Sequence, residues 1–155
     1  MFRSLCITFG LTVLASFGQA HAETLRIATE GAYPPFNFIE AGELKGFDVD
    51  IAKALCAKMA VECTFQAVPW DDIIGGLEGD RYDLIVASMA YTKERAARID
   101  FSDPYYRSHS VLIGNDKYQD SSPEALAGVR IAAESGTIQA DYLKKAYPKS
   151  EILLA

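Results

Sequence analysis

At 155 residues, half of them hydrophobic, the chain has enough apolar material for one domain, or one domain and part of another. Its 21 Asp and Glu outweigh 15 Lys and Arg for a net charge of −6, which argues against nucleic acid and against anionic membrane surfaces as partners. No repeat, low-complexity tract or coiled-coil heptad interrupts it.

The N-terminus reads as an export signal. Arg3 precedes an apolar run from Leu5 to Phe17, and Ala20-His21-Ala22 supplies the small-x-small cleavage pattern, so residues 1–22 are a signal peptide and the mature chain starts at Glu23. Cys6 lies too early to become a lipid-anchored first residue. No later stretch approaches the ~20 apolar residues of a membrane span, so the expected location is the periplasm, without stable membrane insertion. Cleavage removes Arg3 and no carboxylate, leaving the mature chain more acidic still.

Leu25 to Thr29 alternates as a strand and runs into Glu30-Gly31-Ala32-Tyr33-Pro34-Pro35-Phe36, where two prolines argue against regular structure. A strand ending in a carboxylate, a Gly and two aromatics has the composition of the mouth of an α/β cleft. Phe36 is better read as capping the core, and Tyr33 as stacking on a ligand. Gly42 marks a turn and Asp48 a helix N-cap. The helix keeps Val49, Ile51, Ala52, Leu55, Cys56 and Met59 on an apolar face.

Cys63 to Val68 is a second strand, leading to Pro69-Trp70-Asp71-Asp72. Trp70, the single Trp, stands at a strand-to-helix junction, where stacking on a ligand and packing in the core are equally weighted. A short helix through Ile73, Ile74 and Leu77 stops near Gly79. Cys56 and Cys63 read as a disulfide, since the protein is exported and the pair would join a helix end to the next strand. A zinc site lacks ligands, because His109 is the one histidine beyond the leader, and the spacing is not that of a redox C-x-x-C. Neither metal nor cofactor is expected.

Leu84-Ile85-Val86 is a third strand. It opens into the small residues Ala87, Ser88 and Ala90, which let a ligand approach the backbone, and Thr92 is an N-cap whose helix end attracts an anion. Arg95, one turn on, offers a two-pronged guanidinium. The competing reading of Arg95 as a solvated helix residue among Lys93, Glu94 and Arg98 is weaker, because loop, cap and Arg coincide. Ile99 to Phe101 is a short strand before a Pro turn, and Ser108 to Ile113 an extended run leaving the first lobe. Residues 115–120 read as linker or surface. Ser122-Pro123-Glu124 starts a helix that Gly128 ends. Val129 to Ala133 is a strand, Glu134 to Thr137 a turn, Ile138 to Tyr147 a helix closed by Pro148, and Ile152 to Leu154 a further strand. This second strand–turn–helix repeats the logic of the first and offers a second ligand-facing helix N-terminus.

Ile27 to Phe36, Gly46-Phe47-Asp48-Val49-Asp50, Trp70-Asp71, the Ser88 to Arg95 loop and Phe101-Ser102-Asp103-Pro104-Tyr105 together resemble the polar amino-acid-binding proteins of ABC importers, solute-binding protein family 3. The similarity spans nearly all of residues 24–147 and is greatest to lysine/arginine/ornithine, histidine and opine binders, which carry a disulfide where Cys56 and Cys63 stand. The resemblance implies an α/β, two-lobed periplasmic-binding-protein-like fold of type II, closing on an amino acid. The first lobe takes residues 23–110 and the second begins over 111–155. By position, Arg95 holds the ligand carboxylate with Ser88 and Ala90. Tyr33 and Trp70 sandwich the ligand side chain, and Glu30 meets its polar or cationic end. From the second lobe, Thr137 and Gln139 approach the carboxylate, with Glu134 and Ile138 nearby. Ala90 departs from the Ser of many relatives and lacks that hydroxyl. Relatives continue well past residue 155, so the second lobe is expected to be incomplete, without the Asp that holds the ligand amino group.

The expected function is a non-enzymatic receptor, a monomer, delivering a polar and cationic amino acid or opine to an inner-membrane permease by hinge closure. The alternatives are a periplasmic dehydratase-like enzyme, for which Glu30 or Glu134 is the candidate general acid, and the sensor domain of a membrane kinase or receptor.

Overall fold

The computed structural model describes residues 24–155, so the signal peptide over 1–22 and the mature start at Glu23 lie outside the described residues. The larger sheet is parallel: β1 (Leu25–Thr29) lies between β5 (Cys63–Ala67) and β6 (Leu84–Ile85). The register runs from Leu25 opposite Cys63 to Thr29 opposite Ala67, with Ile27 opposite Leu84 on the other side. Central parallel strands are covered on both faces, which is why Ile27, Ala28 and Thr29 are all buried despite the expected alternation.

Helix α1 (Phe47–Met59) covers one face, where Ala52 and Cys56 pack on Ile27. Helix α2 (Trp70–Glu78) covers the other, where Ile73 joins Ala28, Val68, Tyr82 and Ala87. The buried Tyr82 hydroxyl donates to the Ile73 carbonyl. Cys56 and Cys63 are disulfide-bonded, with Cα atoms 6.3 Å apart, and tie the C-terminal part of α1 to the start of β5.

Two expectations for this half are corrected. The Pro34-Pro35 stretch is flanked by paired strands: β2 (Ala32–Tyr33) and β4 (Glu43–Lys45) lie antiparallel on either side of β3 (Asn37–Glu40). The prolines, joined by a cis peptide, occupy only the connection between β2 and β3, and the residues on either side keep their amides for the ladder. The N-cap of α1 is Gly46, not Asp48. At φ 116° Gly46 places its backbone so close to the Phe36 carbonyl that a Cβ would lie 2.4 Å from its oxygen, which only glycine permits. Asp48 falls in the first turn, buried.

Helix α3 (Lys93–Ala96) is a single short turn capped by Thr92. The expected strand at Ile99–Phe101 does not form, and from there to Asn115 the chain carries no helix or strand; Val111 and Ile113 are 76% and 94% exposed. Residues 123–128 form turns instead of a helix. The Ser122 Oγ accepts from the Ala125 amide as a cap should, but Gly128, at φ 75°, ends the segment before a helix can propagate. The smaller sheet then pairs β7 (Arg130–Ala133) in parallel with β8 (Glu151–Leu154) across α4 (Ile138–Ala146). It has its own core in Leu126, Leu143 and Tyr147. Among the described residues no helix is long and apolar enough to cross a membrane.

Candidate functional site

Parallel strands deliver their carboxyl ends, and the helix N-termini that follow them, to one edge of a sheet. Here Glu30 follows the end of β1, β5 leads through Val68 and Pro69 to Trp70, and Glu134 follows the end of β7. These three turns line a cleft of about 420 Å³, with Ala32, Ala67, Val68 and Pro69 completing the wall. Burial pushes the Glu30 carboxyl up to about 7, and the neighbouring Glu134 carboxylate adds to the shift by hydrogen bonding and by repulsion.

The other charge of the site is Arg95. Thr92 Oγ1 accepts from the Arg95 amide at 3.1 Å and so orients the short helix that carries it. The guanidinium donates to the Ala90 carbonyl at 2.8 Å and to the Gly136 carbonyl at 3.0 Å, and lies 5.1 Å from the Trp70 ring centre. Trp70 Nε1 donates to the same Gly136 carbonyl at 3.2 Å. Burial lowers the Arg95 pKa from its ordinary value, while Asp141 acts to raise it; an arginine stays protonated regardless. Arg98 instead pairs with Glu78 at 2.6 Å with both side chains well exposed.

Trp70, Arg95 and the turn before Thr137 are thus brought together, and Glu30 shares the cleft with Trp70. The remaining candidates are placed as follows. Tyr33 is 43% exposed and stacks on Phe36 at 5.0 Å between ring centres. Its phenol is raised by burial, then by Tyr106, Asp48, Glu30 and Glu134. Ser88, in a left-handed conformation at φ 51°, gives its hydroxyl to Asp48 and its amide to the Tyr105 hydroxyl, so both of its donors are engaged internally. Ala90 presents its carbonyl to Arg95. Thr137 Oγ1 donates to the Glu134 carbonyl at 2.7 Å and caps α4 by accepting from Ala140. Gln139 donates to Ser110 at 3.1 Å and does not line the cleft.

Beneath the loop lies a buried network that the sequence reading missed. Asp48, with no exposed surface, accepts from Asn37 Nδ2 at 2.8 Å, from Ser88 Oγ at 2.7 and 2.9 Å, and from the Tyr105 hydroxyl at 2.7 Å. Burial and this bond raise the Tyr105 phenol above its ordinary value. One signal was available: Asp48 stands four residues before Ala52 and eight before Cys56, on the buried stripe of its helix.

Against this geometry, comparisons with known proteins place the chain. Residues 25–149 match the bacterial extracellular solute-binding proteins, family 3, and the chain belongs to that family. It is 38% identical over 136 residues to the ABC transporter arginine-binding protein 1 of Escherichia coli, a match covering 86% of this chain and 55% of that one. It is 46% identical over 96 residues to the octopine-binding periplasmic protein of Rhizobium meliloti, covering 61% and 33%. Among solved structures, the ancestral amino acid-binding protein described as a precursor of cyclohexadienyl dehydratase superposes with a TM-score of 0.80 at 34% identity, covering 85% of this chain and 61% of that one. The fold is therefore that of the two-lobed amino-acid periplasmic binding proteins with the second lobe incomplete, and the chain spans about half the length of the curated relatives it matches.

Proposed function

We propose that the protein is an extracytoplasmic receptor that captures a cationic amino acid, arginine foremost, or an opine derived from one, and presents it to the permease of an ABC transporter. The observation that supports this most is the charge layout around Trp70. The Arg95 guanidinium and the Glu30 carboxyl are both near Trp70, so an α-carboxylate and a cationic side chain can be matched by one ligand lying along the indole. On this reading Arg95 takes the α-carboxylate in place of the Gly136 carbonyl, with Ala90 and Ser88 shaping the loop behind it. Thr137 contributes from the facing helix N-terminus, and Gln139 joins only by leaving Ser110. Tyr33 closes over the aliphatic part of the ligand.

The first lobe over 23–110 and the second from 111 onward close on that ligand, and the mature protein works in the periplasm as a monomer. The E. coli relative and the R. meliloti relative are both named as binding proteins, which supports a receptor over a dehydratase-like enzyme or a sensor domain. Calorimetry of the chain against arginine, lysine, ornithine, histidine, octopine, leucine and glutamate tests the proposal, with recovery of the unchanged ligand after incubation. Binding by the cationic set and its intact recovery are expected. Equal or tighter binding of glutamate, or conversion of the ligand, would overturn it.

A further inference from the structure

Two carboxylates that line one cleft repel each other, and the pair relieves the repulsion either by holding a proton or by sharing a cation. Glu30 comes from the end of β1 and Glu134 from the end of β7, so the pair is assembled only where the two sheets face each other. No lysine or arginine lines the cleft with them. Arg95 is directed to Ala90 and Gly136, and the other charged or titratable groups nearby are Tyr33 on β2, Asp71 on α2 and Asp141 on α4. None of these neighbours except Arg95 is cationic.

We propose that Glu134 is a specificity-determining residue which, with Glu30, forms a carboxylate pair spanning the two lobes, occupied by a proton in the empty cleft and by the guanidinium of a bound ligand in the closed one. This rests on the reading of the cleft as an amino-acid site. A guanidinium suits the position because it is planar, delocalised and presents donors along several edges, so that one edge faces each carboxylate. An ammonium is a compact charge that both carboxylates must approach closely. A neutral ureido group of the same shape brings no charge to displace the pair's proton, so it gains no ion pair there. Binding of arginine therefore releases a proton from the pair to solvent, and the Glu30 titration near 7 sets where this is felt. Below that point affinity rises with pH, because the released proton is a product of binding; above it the proton is already gone and affinity levels off.

The experiment is calorimetry of the full 155-residue chain and of Glu134→Gln with arginine, lysine and citrulline, in two buffers of different ionisation enthalpy from about pH 5.5 to about pH 8.5. The parent is expected to bind arginine with an affinity that rises by up to about tenfold per pH unit below neutrality, and with a heat that differs between the buffers. In Glu134→Gln the slope and the buffer difference shrink, and the preference for arginine over citrulline falls by about tenfold, the exposure of Glu134 keeping the loss below that of a buried pair. Arginine binding without a pH slope, unchanged in Glu134→Gln, would overturn the inference and leave the receptor reading intact. A parent chain that binds none of the cationic amino acids or octopine would remove both together.

Discussion

Two strand-to-helix turns are joined by the hydrogen bond from Arg95 to the Gly136 carbonyl, and they are built alike at the level of the backbone. In each, a threonine three residues ahead of a helical amide caps it: Thr92 for Arg95 at 3.1 Å and Thr137 for Ala140 at 3.2 Å. Their anchoring differs. The Ser88 turn rests on a buried carboxylate, Asp48, which binds it to β3 through Asn37 and to the following segment through Tyr105. The Glu134 turn is held through main-chain carbonyls: Thr137 donates to the Glu134 carbonyl, the Ser135 amide to that of Ala155, and Arg95 and Trp70 to that of Gly136. One jaw rests on a buried side-chain carboxylate, and the other on main-chain carbonyls. The same capping motif thus ends a turn anchored by a buried carboxylate in one place and a turn held by main-chain carbonyls in the other.

The sharpest way to break this contrast is through Arg95, the side chain that joins the jaws. Arg95→Ala is expected to cost about 2 to 5 kcal/mol of ligand binding, since it leaves a ligand carboxylate underpaired in the cleft. Arg98→Ala, which removes only the exposed pair with Glu78, should leave both affinity and stability close to those of the parent. Calorimetric affinities of both variants decide it, and equal affinities would mean that Arg95 only bridges the two turns. Next in size, Asp48→Ala should lower stability by about 3 kcal/mol, because it strands the buried Asn37 amide and removes the acceptor of the part-buried Ser88 and Tyr105 hydroxyls. Denaturant titration measures this, and a loss within about 0.5 kcal/mol would show that the first turn is not anchored as described. The smallest effect compares the caps. Thr137→Ala should cost about 1 kcal/mol and Thr92→Ala about half that, since α4 spans nine residues while the four-residue α3 is held by its platform. Thermal melts yielding the reverse order would contradict the division between a carboxylate-anchored jaw and one held by main-chain carbonyls.

The parts of this arrangement legible in the sequence are those set by neighbours along the chain. Leu25–Thr29, the stop at Gly79, the Thr92 cap and the Ile138 helix before Pro148 are each marked by residues within a few positions, and the structure has elements there. Local marks also misled. Ser122, Pro123 and Gly128 are proper start and stop signals, yet the span between them is too short to repay helix nucleation. The hairpin through Asn37 was hidden by two prolines whose effect ends at their own residues. Asp48 reads as a cap until Asn37, Ser88 and Tyr105, distant in sequence, are seen to converge on it. The partner of Arg95 was invisible for a simpler reason: a backbone carbonyl carries no side-chain signature, and Gly136 is known as its donor's target only once the two sheets are set face to face.

Gly136 has a consequence beyond the two hydrogen bonds it accepts. A Cβ there would lie 3.1 Å from an Asp71 oxygen and 3.6 Å from the Trp70 ring, at a φ of 69° that L-residues rarely adopt. The gap between the jaws is therefore calibrated by a missing side chain. Any residue larger than glycine acts as a shim against Asp71 and the Trp70 ring, and on the proposed function it lowers apparent affinity in proportion to the population of the closed form it removes. On the proposed function, position 136 sets how closely the two turns approach, while the charged side chains around it choose the ligand.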